Sequence, residues 1–229
     1  GFKGNAYTAF GTAMHSVCEK KLLKEEVDND FFVAELKKNI AQLPEDVDVD
    51  KKLVLDMVGQ GKSIIPEIQD ALDEYFEEYE VMAVEMSLME DIENENDHKF
   101  KGYIDAVVST PDGKVHIFDW KTCSWGWDAK RRSDKMTTYQ LTLYKHFFAQ
   151  KMGVDPKDIE THFALLKRTA KSKNRPILEK SLDREKTIRD ILSEREAYYR
   201  QVATLEVDTT GKHLNRVINT IKQYVQNST

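Results

Sequence analysis

GYIDAVVSTPDGKVHIFDWKT, residues 102–122, decides the reading of this chain. Two largely apolar runs, residues 99–110 and 115–120, flank Pro111-Asp112-Gly113-Lys114. Proline presets one turn angle and glycine accepts the positive φ of a tight turn, so the stretch predicts two antiparallel strands joined by a hairpin. Side chains alternate across a strand, so Asp119 and Lys121 share one face of the second strand. Asp105 lies on the partner strand, and a suitable register brings two carboxylates and one ammonium together. Around them stand Ile104, Ala106, Val107, Val108, Ile117, Phe118 and Trp120. Aspartate is disfavoured in strands, and burying two carboxylates unpaired is costly. A divalent cation offsets that cost; Mg2+ takes hard oxygen ligands and keeps positions for water and phosphate. An Asp–Lys ion pair on the wet face of an antiparallel sheet accounts for the same spacing.

Outward from the hairpin, residues 81–92 alternate as a strand does, which makes 81–120 an antiparallel meander. Before it, residues 7–26, 31–43 and 51–79 carry apolar positions at helical spacing, with a break at Pro44 and an interruption expected at Gly59 and Gly61. After it, Ser133 is placed to cap a helix running to Met152, and Gly153 to end it. Residues 159–167 and 176–182 read as strands, and 183–207 and 212–226 as helices. This order predicts a mixed α/β fold, a central mixed sheet flanked by helices with an N-terminal helical region. The expectation is one domain over 1–229, with helices over residues 1–80, a sheet core over 81–182 and C-terminal helices over 183–229.

Composition narrows the classes. With 40% hydrophobic and 32% charged residues the chain suits a globular protein, and no run of 18 apolar residues suggests a membrane span. The start lacks an initiator Met and reads as cut from a longer protein. Cys18 and Cys123 form no CxxC pair, which argues against a zinc ribbon or an iron–sulfur cluster and for a reducing, cytoplasmic setting. No P-loop, Gly-rich dinucleotide motif or GxSxG element is present. The net charge of −6 is unevenly spread: residues 1–99 hold 10 Lys, no Arg and 24 acidic residues, whereas 100–229 hold 24 basic and 16 acidic residues. Local basic patches attract phosphates whatever the mean charge. One follows Trp125 and Trp127 in KRRSDK, with Lys130, Arg131, Arg132 and Lys135; another is LKRTAKSKNR, with Lys167, Arg168, Lys171 and Lys173. Lysine and arginine neutralise phosphates and exposed aromatic rings stack bases, although solvated surface loops have the same composition.

Two helical pairs complete the pattern. His15 and Glu19 in GTAMHSVCE are four apart, as are Gln140 and Tyr144 in QLTLY, so each pair shares a helix face. The order GxxxH, IDAVV, DWKT, QLTLY resembles the RecB-like branch of the PD-(D/E)XK nuclease superfamily, over roughly residues 11–144 and more weakly at FALLKR. The resemblance implies a restriction-endonuclease-like sheet and metal-dependent hydrolysis of DNA phosphodiesters, with Mg2+ or Mn2+ and no iron–sulfur cluster. It implies Asp105 and Asp119 as acidic metal ligands, Lys121 as the motif lysine, His15 and the Trp120 carbonyl as further ligands, and Gln140 with Tyr144 beside the site. Glu85 and Glu19 match accessory acidic positions. DNA ends or single strands are the implied substrate, a helicase or recombination protein the implied partner, and a bacterial or phage-infected cell the setting. A structure-specific endonuclease and a non-cutting DNA-end-binding module fit the same residues.

Overall fold

The computed structural model describes residues 4–92, 95–132, 134–169, 177–180 and 223. Four helices come first: α1 (Ala6–Leu22), α2 (Asn29–Ala41), α3 (Lys51–Ile64) and α4 (Glu67–Phe76). Each of the first three starts on an acid or amide that accepts from the orphan N–H groups of the first turn. Asn5 accepts from the N–H of Tyr7 and Thr8, and Thr8 returns a bond to the Asn5 N–H, a full capping box. Asp28 accepts from the Phe31 N–H and Asp50 from the Lys52 N–H, a single capping bond each for α2 and α3.

The break between α3 and α4 falls at Pro66, not at the glycines. Proline has no N–H to give to the carbonyl one turn back, so the helical hydrogen-bond ladder is interrupted there although Ile65 and Pro66 keep helical backbone angles. Gly59 and Gly61 both lie inside α3. Gly61 is there for packing, since a Cβ on it would stand 2.2 Å from the Phe32 ring of α2.

The strands are β1 (Glu80–Ile92), β2 (Glu95–Ser109), β3 (Val115–Cys123), β4 (Ile159–Lys167) and β5 (Ile177–Lys180), in sheet order β1-β2-β3-β4-β5. Strands β2 and β3 are antiparallel, β3 and β4 parallel, β4 and β5 antiparallel, so the sheet is mixed. The β2–β3 turn closes through Gly113 N–H to Thr110 O at 3.0 Å, with Gly113 at φ +82°. A parallel neighbour requires a crossover. Here it holds the short α5 (Ala129–Arg132) and the long α6 (Lys135–Met152). Asp134, rather than Ser133, caps α6 by accepting from Thr137, and Gly153 ends it at φ +67°.

Residues 115–120 of β3 are all buried, because helices cover both faces of the sheet. On one face Phe10, Met14 and Val17 of α1 pack with Ala106, Phe118, Trp120 and Ala164. On the other, α6 lies against β3 and β4. The chain divides into two compact units, Gly1–Glu90 with Phe100–Arg184, and Asp91–Lys99 with Glu185–Thr229. In the second unit Lys99 pairs with Asp91 at 2.9 Å. The expected C-terminal helices fall outside the described residues, apart from Gln223, which is helical.

Candidate active site

The β2–β3 ladder pairs Ser109 with Val115 through to Ala106 with Phe118. By alternation Asp105 takes the face of Val107, which is paired to Ile117, and therefore the face of Asp119 and Lys121. The carboxylate of Asp105 then takes over the next hydrogen bond. Its Oδ2 accepts from the Trp120 N–H at 2.7 Å, where a backbone carbonyl of β2 would otherwise stand. The N–H and C=O of one strand residue point to the same neighbour. The Trp120 carbonyl thus opens toward the same gap and accepts from His15 Nε2 at 2.9 Å. The His15 Nδ1 lies 3.6 Å from Asp105 Oδ2. Helix α1, packed on the opposite face, so reaches the two carboxylates at the point where the ladder stops.

Asp119 is 3% exposed. Lys121 Nζ lies 2.6 Å from its Oδ2, but off the line of a proper hydrogen bond, and this buried oxygen has no well-aligned donor. Its Oδ1 accepts from Gln140 Nε2 at 3.2 Å, and the same amide donates to the Tyr144 hydroxyl at 2.9 Å. Gln140 and Tyr144 come from successive turns of α6. Gly102 on β2 admits the Tyr144 ring, for a Cβ there would lie 2.7 Å from it.

Burial pushes the Asp105 carboxyl up to about 6, aided by the Asp119 charge and opposed by His15, the Trp120 N–H and Lys121. Burial also raises Asp119, against the Lys121 ammonium. Both acids therefore hold protons more tightly than exposed aspartates do. The donor set is two carboxylates, one of them with an unaligned buried oxygen, one imidazole and one main-chain carbonyl. These hard oxygen and borderline nitrogen donors fit a divalent metal ion.

A stability consequence follows for the protein freed of metal. A carboxyl whose folded pKa is raised favours the folded state most at low pH. That contribution is lost as pH climbs from 3.8 through about 6. At pH 7.5 in chelator, Asp105→Asn is expected to stabilise the fold by about 1–3 kcal/mol, the asparagine oxygen still accepting from Trp120. Urea unfolding at pH 7.5 and pH 4 checks it; the gain should be present at the first and absent at the second.

The accessory acids lie close together. Burial raises the Glu19 carboxyl, and the Glu85 charge is the next cause. Glu85 is exposed on β1 at φ +47°, where the in–out alternation slips between Ala83 and Val84. Such a conformation marks a bulge in a strand. Among the basic residues, Lys130, Arg131 and Arg132 are exposed on α5, and the Arg131 guanidinium lies 5.4 Å from the Trp127 ring centre. Trp125 is 71% exposed, whereas Trp127 packs on Phe163. Arg168 donates to Ser124 Oγ at 2.9 Å and its guanidinium lies 4.7 Å from the Tyr7 ring centre. Lys167 is half-buried, the backbone of Lys135 opens α6, and Lys171 and Lys173 fall outside the described residues.

No match to a curated protein sequence is found. In fold the chain is similar to a candidate exonuclease from Eubacterium rectale, at TM-score 0.50 and 14% identity over 93% of this chain and 82% of that one. The structure of SSO0001 matches more loosely, at TM-score 0.39 and 16% identity, over 85% of this chain and 88% of that one. The profile of the PD-(D/E)XK nuclease superfamily spans residues 2–225, and the chain belongs to that superfamily.

Proposed function

We propose that this nuclease is a Mg2+- or Mn2+-dependent deoxyribonuclease of the RecB-like branch, working as an exonuclease on DNA ends or single strands in recombination, repair or phage DNA processing. One observation carries the reading: Asp105, Asp119, Lys121, His15 and the Trp120 carbonyl meet where β2 parts from β3. Asp105, Asp119, His15 and the Trp120 carbonyl would hold the cation. A bound divalent ion polarises a phosphate oxygen and lowers the pKa of a coordinated water. Lys121 orients the attacking water and offsets negative charge that develops on the pentavalent phosphorus. Gln140 fixes the Asp119 carboxylate by its Oδ1, and the Tyr144 hydroxyl holds Gln140 in place. Glu19 and Glu85 are accessory acids at the rim.

Substrate contact is assigned to the exposed side beyond β3. Trp125 offers an open ring for base stacking, and Lys130, Arg131 and Arg132 offer charge for the backbone. Lys135, Lys167, Arg168, Lys171 and Lys173 are assigned as further nucleic-acid contacts from the basic runs of the sequence alone. Helix α1 both supplies His15 and walls the site, which favours entry of a strand end over a continuous strand.

The test is cleavage of end-labelled linear DNA and of closed circular single-stranded DNA with Mg2+, with Mn2+ and with chelator. Metal-dependent loss of label from the linear substrate, with the circle left intact, is the expected outcome. Cutting of the circle at a comparable rate would replace the exonuclease by an endonuclease. Neutralising Lys130, Arg131 and Arg132 together should lower the slope of log affinity against log salt by about 2–3 on B-form DNA, and by less on single strands.

A further inference from the structure

A second cluster of ligating side chains lies near the start of β3 and β4, on the face opposite Asp119. His116 is paired with Glu160 in the parallel ladder, and His162 is opposite Phe118. Three residues of strand, about 10 Å, separate His116 from Asp119. Both imidazoles are buried, His116 at 8% and His162 at 1% exposure. One nitrogen of each faces the other, His116 Nδ1 and His162 Nε2 at 3.0 Å, and Glu160 Oε2 lies 3.9 Å from the same His116 atom. All three donor atoms fall within 4.8 Å of one another.

We propose that His116, Glu160 and His162 bind one transition-metal ion of the Zn2+ class, at a site separate from the nuclease centre.

What surrounds the three ligands supports this. A metal-bound histidine needs a partner for its other ring nitrogen, which sets its tautomer. His162 Nδ1 lies 3.1 Å from the Tyr75 hydroxyl, and His116 Nε2 lies 3.0 Å from the Thr110 hydroxyl. Hydroxyls accept as well as donate, so both rings can carry their proton on the outer nitrogen and turn a lone pair inward. The other oxygen of Glu160 is taken by Lys180 at 2.7 Å. Every ligand is thus oriented from behind. Two inward lone pairs 3.0 Å apart repel unless a proton or a metal lies between them. Tetrahedral Zn2+ wants ligating nitrogens roughly 3.3 Å apart, a shift of a few tenths of an ångström. Two imidazoles and one carboxylate suit Zn2+, Co2+ or Ni2+ better than Mg2+. Glu160 is half-buried and gives the ion a path from solvent and a fourth position for water.

The test uses the full chain carrying Asp105→Asn and Asp119→Asn, which silences the nuclease centre. Co2+ titration of this protein should give one equivalent bound, with visible d–d absorption of tetrahedral strength, unaffected by millimolar Mg2+. Glu160→Gln, which alters a half-exposed group and spares the core, should weaken binding at least tenfold. His162→Gln should abolish it, and Tyr75→Phe should weaken it about tenfold by taking away the hydroxyl that orients His162. Absence of a bound equivalent, or binding that survives both Glu160→Gln and His162→Gln, would overturn the assignment. Neither result depends on whether the nuclease proposal holds.

Discussion

Asp119→Asn is expected to lose cleavage of end-labelled DNA by about a thousandfold or more with Mn2+, while the protein stays folded. The carboxylate is nearly buried and its Oδ2 meets the Lys121 ammonium at 2.6 Å without an aligned hydrogen bond, so a cation can share its charge. An asparagine keeps the shape and the Gln140 contact but offers a neutral oxygen. Since burying the acid is unfavourable in the metal-free state, the variant should melt no lower than the parent in chelator. Lys121→Ala should reach a similar loss by a different route, with Mn2+ still bound, because the ammonium is proposed to act on water and phosphate rather than as a ligand. Calorimetric Mn2+ titration separates the two: affinity falls in Asp119→Asn and persists in Lys121→Ala. Near-parental turnover by either variant would end the catalytic assignment.

The second large effect lies on the same strand but in stability. Trp120→Ala should cost about 3–5 kcal/mol in urea unfolding and lower Tm by roughly 10 °C. The indole is 2% exposed, meets Phe118 edge to face at 5.2 Å and sits in the cluster that joins α1 to the sheet. Its main chain, by contrast, faces Asp105 and His15. Side chain and backbone of one residue therefore serve separate ends. Below its melting range the alanine variant should still bind Mn2+, more weakly if the gap has loosened. Trp120→Phe should recover most of the lost stability. A variant as stable as the parent would mean that the α1 face is not packed as described.

Much of this arrangement is legible in the chain because it is local. The PDGK turn fixes the hairpin, and the two-residue period then puts Asp105, Asp119 and Lys121 on one face. The spacing of Gln140 and Tyr144 likewise survives as a shared helix face, with the amide bonded to the hydroxyl. What the sequence hides comes from tertiary contacts. Gly61 reads as a helix breaker because nothing in its neighbourhood announces the Phe32 ring that needs the space. The stacking of Arg168 on Tyr7 is hidden in the same way, since the two are far apart in sequence. The His116–His162 pair is invisible for the same reason: each is a lone histidine in its own strand, and only the parallel β3–β4 register joins them. One histidine near the start of each of two apolar strands is the signal that was available.

The hairpin between Thr110 and Lys114 sets the phase of everything downstream. Strand faces alternate every residue, so inserting or deleting one residue in that loop, if the strands absorb it as a register slip, turns Asp119 and Lys121 toward α1 and Trp120 toward α6. Acidic chemistry and hydrophobic packing would exchange places at once. Loop length here is a constraint on lineage: related chains should keep a glycine where Gly113 takes its positive φ, and change the size of this turn only in steps of two or with a compensating bulge.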